Sequence, residues 1–130
     1  MFTLAEITRS HAAERPDKPA LICDDRTLTY ADLHAESSRV ANALLAAGVG
    51  PQDRVGFVGK NIAEYFTVVY GAAKINAVTV AVNWRLAAPE MAYILDHAEA
   101  KVVLVEGEFL DHLAKMDLPR EPLIVEVGDN

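Results

Sequence analysis

The sequence predicts an α/β fold in which an N-terminal helix and a β-hairpin precede β-α units that form a mostly parallel sheet. Two observations carry this expectation. Short, nearly unbroken apolar runs begin at Val55, Val78, Val102 and Leu123, 21 to 24 residues apart. Each interval holds a helix-length segment, the pattern of successive β-α units. The runs are rich in β-branched residues and lack polar alternation, so all four are expected to be covered on both faces. Apolar residues make up 52% of the 130, which is ample for a packed core and argues against disorder.

The elements follow in order. Thr3-Leu4-Ala5-Glu6 is a capping-box pattern, with Phe2 and Ile7 placed for a hydrophobic staple. The helix it opens should run to about Arg15, where Pro16 stops it. Pro19 to Cys23 reads as a strand, Asp24-Asp25 as a turn, and Arg26 to Thr29 as the returning strand. Thr29 is placed to cap the second helix, and Asp32 suits the positive end of its dipole. Leu33, Val40, Leu44 and Ala47 share one face of that helix, and Gly48 ends it in the left-handed conformation. Asn61-Ile62-Ala63-Glu64 is a further capping box, with Asn61 as the N-cap of a helix to about Ile75. Pro89-Glu90 opens a helix to about Ala98, and Glu108 to Met116 forms a short one. Gly128-Asp129-Asn130 follows the last strand where a helix should begin, so the pattern reads as cut in mid-course.

Charge and motif content narrow the function. A net charge of −7 argues against a general nucleic-acid binder. Cys23 is the single cysteine, expected as a small buried strand residue, and no Cys/His spacing suggests zinc. The four histidines, His11, His34, His97 and His112, fall on different helices. Ser10, Ser37 and Ser38 lie outside any nucleophile-elbow pattern. Asp24-Asp25 could be an acidic metal pair, but its place in a tight hairpin ahead of the parallel sheet favours a turn. Neither G-x-x-x-x-G-K-S/T nor G-x-G-x-x-G occurs, and Gly48-Val49-Gly50-Pro51 is too short for either. The N-terminus has neither a basic segment nor a long apolar one, and no run suffices to span a bilayer, so the cytoplasm is the expected compartment.

Ligands of a parallel sheet sit beyond the carboxyl ends of its strands. Four stretches qualify: Gly59-Lys60-Asn61, Asn83-Trp84-Arg85, Glu106-Gly107 and Gly128-Asp129-Asn130. Lys60 and Arg85 are the cations among them, able to meet an anionic ligand or a neighbouring domain. Against that, Lys60 reads as a solvated loop lysine and Arg85 as half of a structural ion pair. Asn61, as an N-cap, should have its side chain engaged with backbone amides. Trp84 either stacks on a ligand or, the expected role, packs against a partner domain. Asn83, Trp84 and Arg85 are therefore the candidates for the ligand or interface side; no residue is assigned to catalysis, cofactor binding or a metal.

Together the local patterns resemble the adenylate-forming (AMP-binding) enzymes, and within them the acyl-CoA synthetases. Leu28-Thr29-Tyr30-Ala31-Asp32-Leu33 is similar to the family's L-T-Y-x-E/D-L motif. The Ala-Ala-Gly-Val-Gly at 46–50, Asp53-Arg54-Val55, and Asn61 followed by Glu64 also resemble the family. Tyr70 to Val78 resembles the second motif, a helix ending in K-x-G-A before a strand, and Lys101-Val102-Val103 the strand after it. Asn83-Trp84-Arg85-Leu86 with Glu90 resembles the N-x-R-L…E stretch of acyl-CoA synthetases. Three positions depart from the pattern: Asn76 and Gln52 stand where the family has glycine, and Ala81 where it often has proline.

The resemblance spans Thr3 to Val105 and implies an incomplete N-terminal subdomain of the adenylate-forming fold. The full-length enzyme it implies uses ATP, magnesium and CoA. It converts a fatty or related carboxylic acid to an acyl-adenylate and passes the acyl group to the CoA thiol. The family's phosphate loop, its acidic residues for magnesium and ribose, its hinge and its C-terminal domain with the catalytic lysine lie further along, so the chain alone is expected to be inactive. Delivery to a carrier protein, or a luciferyl-type adenylate, is the alternative within the family. A free-standing α/β binding module is the alternative outside it. The ligase reading expects an apolar surface where the other subdomains dock, which also gives the isolated chain a route to a homodimer.

Overall fold

The computed structural model describes residues 3–128. The elements are α1 (Leu4–Glu14), β1 (Pro19–Cys23), β2 (Arg26–Thr29), α2 (Tyr30–Ala46), β3 (Arg54–Val58), α3 (Ala63–Lys74), β4 (Val78–Val82), α4 (Ala88–His97), β5 (Ala100–Glu106), a 3-10 turn over Gly107–Phe109 leading into α5 (Leu110–Ala114), and β6 (Leu123–Val127). β1 and β2 form an antiparallel hairpin. The other four strands make one sheet in the order β4-β3-β5-β6, and every neighbouring pair is parallel. The α/β class and the parallel sheet expected from the sequence are both present.

Strand alternation divides the core in two. Val55, Phe57, Val102 and Leu104 face one side of the sheet, where Leu44 of α2 and Val68 and Ala72 of α3 cover them. Val58, Val103 and Val105 face the other, under Met91 and Leu95 of α4 and Phe109. β3 and β5 thus have both faces buried, as a parallel strand between helical layers requires. The expectation fails for β4 and β6, which form the sheet edges. Leu123, Ile124 and Val125 of β6 are 52%, 40% and 37% exposed, because β6 is the sheet edge, paired on one side by β5, and it is Val127 that packs against the core.

The caps show a similar split. Thr29 and Asp32 form a complete capping box: Asp32 N donates to Thr29 Oγ1 at 3.1 Å, and Thr29 N donates to Asp32 Oδ2 at 3.0 Å. Thr3 flanks α1 but its side chain makes no capping bond; Phe2, the expected staple partner of Ile7, lies outside the described residues. Asn61 is not an N-cap. Ile62 holds that place, its side chain packed against the core and its N–H bonded to the Lys60 carbonyl at 2.9 Å. Burial of an isoleucine sets where α3 begins, and Asn61 is left exposed outside it. On α2 the buried face runs through Leu33, Ser37, Ala41 and Leu44, while Ala47 has already left the helix.

α2 and α3 approach closely at Gly71. A Cβ there would lie 2.8 Å from the Ser37 carbonyl oxygen and 2.8 Å from Val40 Cβ. Backbone cannot retreat as a side-chain tip can, so Gly71→Ala should destabilise the protein by about 1–3 kcal/mol through overpacking, despite alanine's better helix propensity. Urea denaturation measures this, and equal midpoints for the two proteins would refute the close packing.

The two departures from family glycines meet in space. Gln52 has φ +67° and Asn76 φ +57°, and Gln52 N donates to the Asn76 carbonyl at 2.7 Å. With Val78 N bonded to the Asp53 carbonyl at 2.8 Å, this pair of left-handed residues sets β3 against β4. Asparagine tolerates the conformation; glutamine is the more strained of the two. Gln52→Gly should raise stability by roughly 0.5–1 kcal/mol, relief of left-handed strain outweighing the added freedom of the unfolded chain. Thermal denaturation gives the sign, and a fall in Tm would contradict the strain argument.

Candidate functional site

The loops after β3, β4 and β5 converge at the carboxyl edge of the sheet. Gly59 lets the first of them press against the third: a Cβ there would sit 3.0 Å from both Glu106 Cβ and the Phe57 ring. That proximity allows Lys60 N to donate to Glu106 Oε1 at 2.9 Å. The Lys60 ammonium donates to Glu108 Oε1 at 3.1 Å and lies 4.9 Å from the centre of the Trp84 ring. Lys60 is therefore paired and set against a ring, while its side chain stays 43% exposed as a loop lysine's would.

Trp84 organises this edge. Its ring packs on Phe109 with centroids 6.1 Å apart and lies half-buried against the core cluster under α4. The Arg85 guanidinium carbon is also 4.9 Å from the Trp84 ring centre. Arg85 is exposed and has no carboxylate partner among the described residues, so the expected ion pair gives way to a cation–π contact. Asn83 shapes the loop: its Oδ1 accepts from Arg85 N at 3.0 Å, an Asx turn. Phe57, Lys60, Asn61, Tyr65, Asn83 and Trp84 are among the residues lining a groove of about 260 Å³ here.

A second hollow of about 460 Å³ lies beside the hairpin turn, lined by Cys23, Asp24, Asp25, Arg26, Glu64 and Glu106 among others. Asp24 has φ +52°, as a tight turn demands. Cys23 is half-buried rather than enclosed, its thiol 3.6 Å from the Asn61 carbonyl. Arg26 holds both oxygens of Glu36 at 3.0 Å and bonds Glu64, tying the hairpin to α2 and α3.

Asn83, Trp84 and Arg85 thus come together with Lys60, as the sequence suggested, while Gly128 belongs to the second hollow. No local pattern points to Glu108 as the lysine's partner, because 48 residues separate them. The signal available was indirect: neighbouring strands β3 and β5 must bring their following loops side by side. Among the described residues no group of three His, Cys, Asp or Glu side chains is arranged to hold a metal ion. No helix of the described residues is long and apolar enough to cross a membrane. The arrangement offers stacking and one open guanidinium, which is binding chemistry.

Comparison with known proteins settles the family. The AMP-binding enzyme family matches residues 8–129. The chain belongs to the AMP-binding enzymes. It is 43% identical over 128 residues to the fatty acid–[acyl-carrier-protein] ligase ScoC of Streptomyces coeruleorubidus, covering 98% of this chain and 25% of that protein. It is 34% identical to a medium/long-chain-fatty-acid–CoA/3-oxocholest-4-en-26-oate–CoA ligase of Mycobacterium marinum, covering 98% of this chain and 24% of that protein. The fold matches the anthranilate CoA ligase AuaEII in complex with anthranoyl-AMP with a TM-score of 0.93 and 32% identity, over 98% of this chain and 25% of that one. It also matches the N-terminal domain of FACL13 from Mycobacterium tuberculosis, with a TM-score of 0.91 and 32% identity, over 98% and 34% of the two chains. The chain therefore spans about a quarter of the length of the curated relatives it matches.

The roles of the two exposed-edge residues can be separated. Trp84→Ala should lower stability by about 1–3 kcal/mol, since the half-buried ring packs against the core, whereas Arg85→Ala should change it by less than about 1 kcal/mol. Urea denaturation followed by circular dichroism compares them. Equal losses would make Arg85 a structural residue and remove it from the ligand side.

Proposed function

We propose that this chain is the N-terminal part of an AMP-binding ligase that activates a carboxylic acid, a fatty acid in the first instance, and transfers the acyl group to the thiol of CoA. The observation that carries the reading is similarity to acid–thiol ligases over nearly the whole chain, with named fatty-acid ligases among them. In such a reaction the carboxylate displaces pyrophosphate from ATP, and the thiol then displaces AMP from the acyl-adenylate. Magnesium supplies charge neutralisation at the phosphates. The described residues present no donor set that fits it, so no step is assigned to a residue of this chain. Residues 1–130 are then one part of the AMP-binding domain, with the catalytic groups on further polypeptide. The exposed apolar β6 supports this over a free-standing module, and gives the isolated chain a surface for homodimerisation.

Within this reading Asn83, Trp84 and Arg85 form a ligand- or interface-facing rim, with Arg85 as its open cation. The cytoplasm is the compartment we assign, as the site of ATP and CoA supply. The acceptor has a second reading, a carrier-protein phosphopantetheine thiol, supported by the 43% identity to a fatty acid–[acyl-carrier-protein] ligase. The test uses the longer gene product that contains this sequence. With ATP, magnesium and fatty acids of graded length, AMP should appear together with an acyl thioester. A thioester on CoA supports the first reading and one on holo-carrier protein the second; no AMP release with any acid would sink both. The 130-residue chain alone should release none.

A further inference from the structure

Away from the carboxyl edge, three helices meet at a polar junction that the proposed chemistry does not use. Thr8 of α1 is fully buried, and its hydroxyl lies 3.4 Å from Nδ1 of His34 on α2. Lys74, the last residue of α3, places its ammonium 3.0 Å from the same nitrogen. It also donates to the His34 carbonyl at 3.0 Å and to Ser38 Oγ at 2.8 Å. An ammonium has only donors, so Nδ1 must be the acceptor and the ring is the neutral Nε2–H tautomer.

The charges facing the ring are of one sign. Lys74 comes from α3 and Arg9 from α1, and Arg9 lies 3.8 Å from its own helix's Glu6. Lys74 has no ion pair among the described residues; its contacts are neutral oxygens and the ring. Burial, then the positive charges of Lys74 and Arg9, hold His34 below the ordinary histidine range. Burial likewise lowers Lys74.

We propose that this junction is a proton-operated latch: a proton added to His34 turns the shared acceptor into a donor facing the Lys74 ammonium, and the packing of α1 and of the end of α3 on α2 loosens. The opened chain binds the proton more readily than the closed one. Between the two titration points the open form therefore carries more protons, and closure strengthens as pH rises. Closure is at full strength above the ordinary histidine value near 6.5, weakens as pH falls below it, and levels off once pH is below the lower value of the closed form. One proton limits the effect to about tenfold in the opening equilibrium per pH unit. α1 is the element most affected, since it packs on α2 and α3.

Hydrogen exchange of α1 and α3, corrected for intrinsic rate, tests this between about pH 7.5 and about pH 5.5, above the range where carboxylates titrate. The α1 opening equilibrium should rise by up to about tenfold per pH unit below about pH 6.5. His34→Gln, which keeps an acceptor but does not titrate, should flatten the response. Lys74→Met should move the His34 titration, read by NMR of its ring protons, upward toward the ordinary value. The same α1 response in the wild type and His34→Gln would overturn the proposal. So would a wild-type His34 that titrates at or above the ordinary histidine value, a measurement that stands even where His34→Gln does not fold.

Discussion

Everything at the carboxyl edge of the sheet depends on β3 being covered from both sides. Its inward residues alternate strictly: Val55 and Phe57 go to the α2–α3 layer, Val58 to the α4 layer. Gly56 faces Leu95, whose Cδ2 would lie 2.5 Å from an added Cβ, so that layer sits against bare backbone. From Val55 onward a strand so enclosed keeps one register with each neighbour, since a slip of one residue would turn every apolar side chain to the wrong layer. Fixed register with β4 and β5 puts the three following loops at one level. Lys60, Trp84 and Glu106 can touch because Phe57 and Val58 cannot move.

Much of this was legible in the sequence, for an identifiable reason. Strand runs at regular intervals, the Thr29 cap and Gly48 are local signals, and local chemistry decides them. The failures occurred where a distant contact outweighed the local preference. Asn61 is a better N-cap than Ile62 by intrinsic tendency, yet anchoring Ile62 in the core moved the helix start by one residue. β6 has the composition of a buried strand but sits at the sheet edge, because composition does not report strand order. At the candidate site, the loops were identifiable from topology alone. The Lys60–Glu108 pair was not, since it arises only when β3 and β5 lie side by side.

The departures from the family pattern show the same logic from the other direction. Gln52 and Asn76 are remote in sequence and were identified singly as replacements of glycine. In the structure they are partners across one hydrogen bond, both in the left-handed region. The turn before β3 and the turn before β4 have to bend together for Arg54 to face Val78. Asparagine serves this with little strain, and Gln52 carries the larger left-handed cost of the two.

The two cations at the carboxyl edge have been given different tasks by their surroundings. Lys60 donates to Glu108 and leans on Trp84, so it has an ionic partner within the chain, although the pair is open to solvent. Arg85 touches the same ring, but a π-face offsets only a small part of a cation's charge, about 0.5–1 kcal/mol at an exposed position. The stack fixes the direction of the guanidinium and leaves its five donors open, the geometry that suits bidentate recognition of a phosphate or carboxylate. Asn83 contributes by holding the Arg85 backbone N–H in its turn. A planar cation held in place but not neutralised, at the end of a sheet where ligands gather, is a stronger argument for the binding side than the presence of an arginine in the sequence.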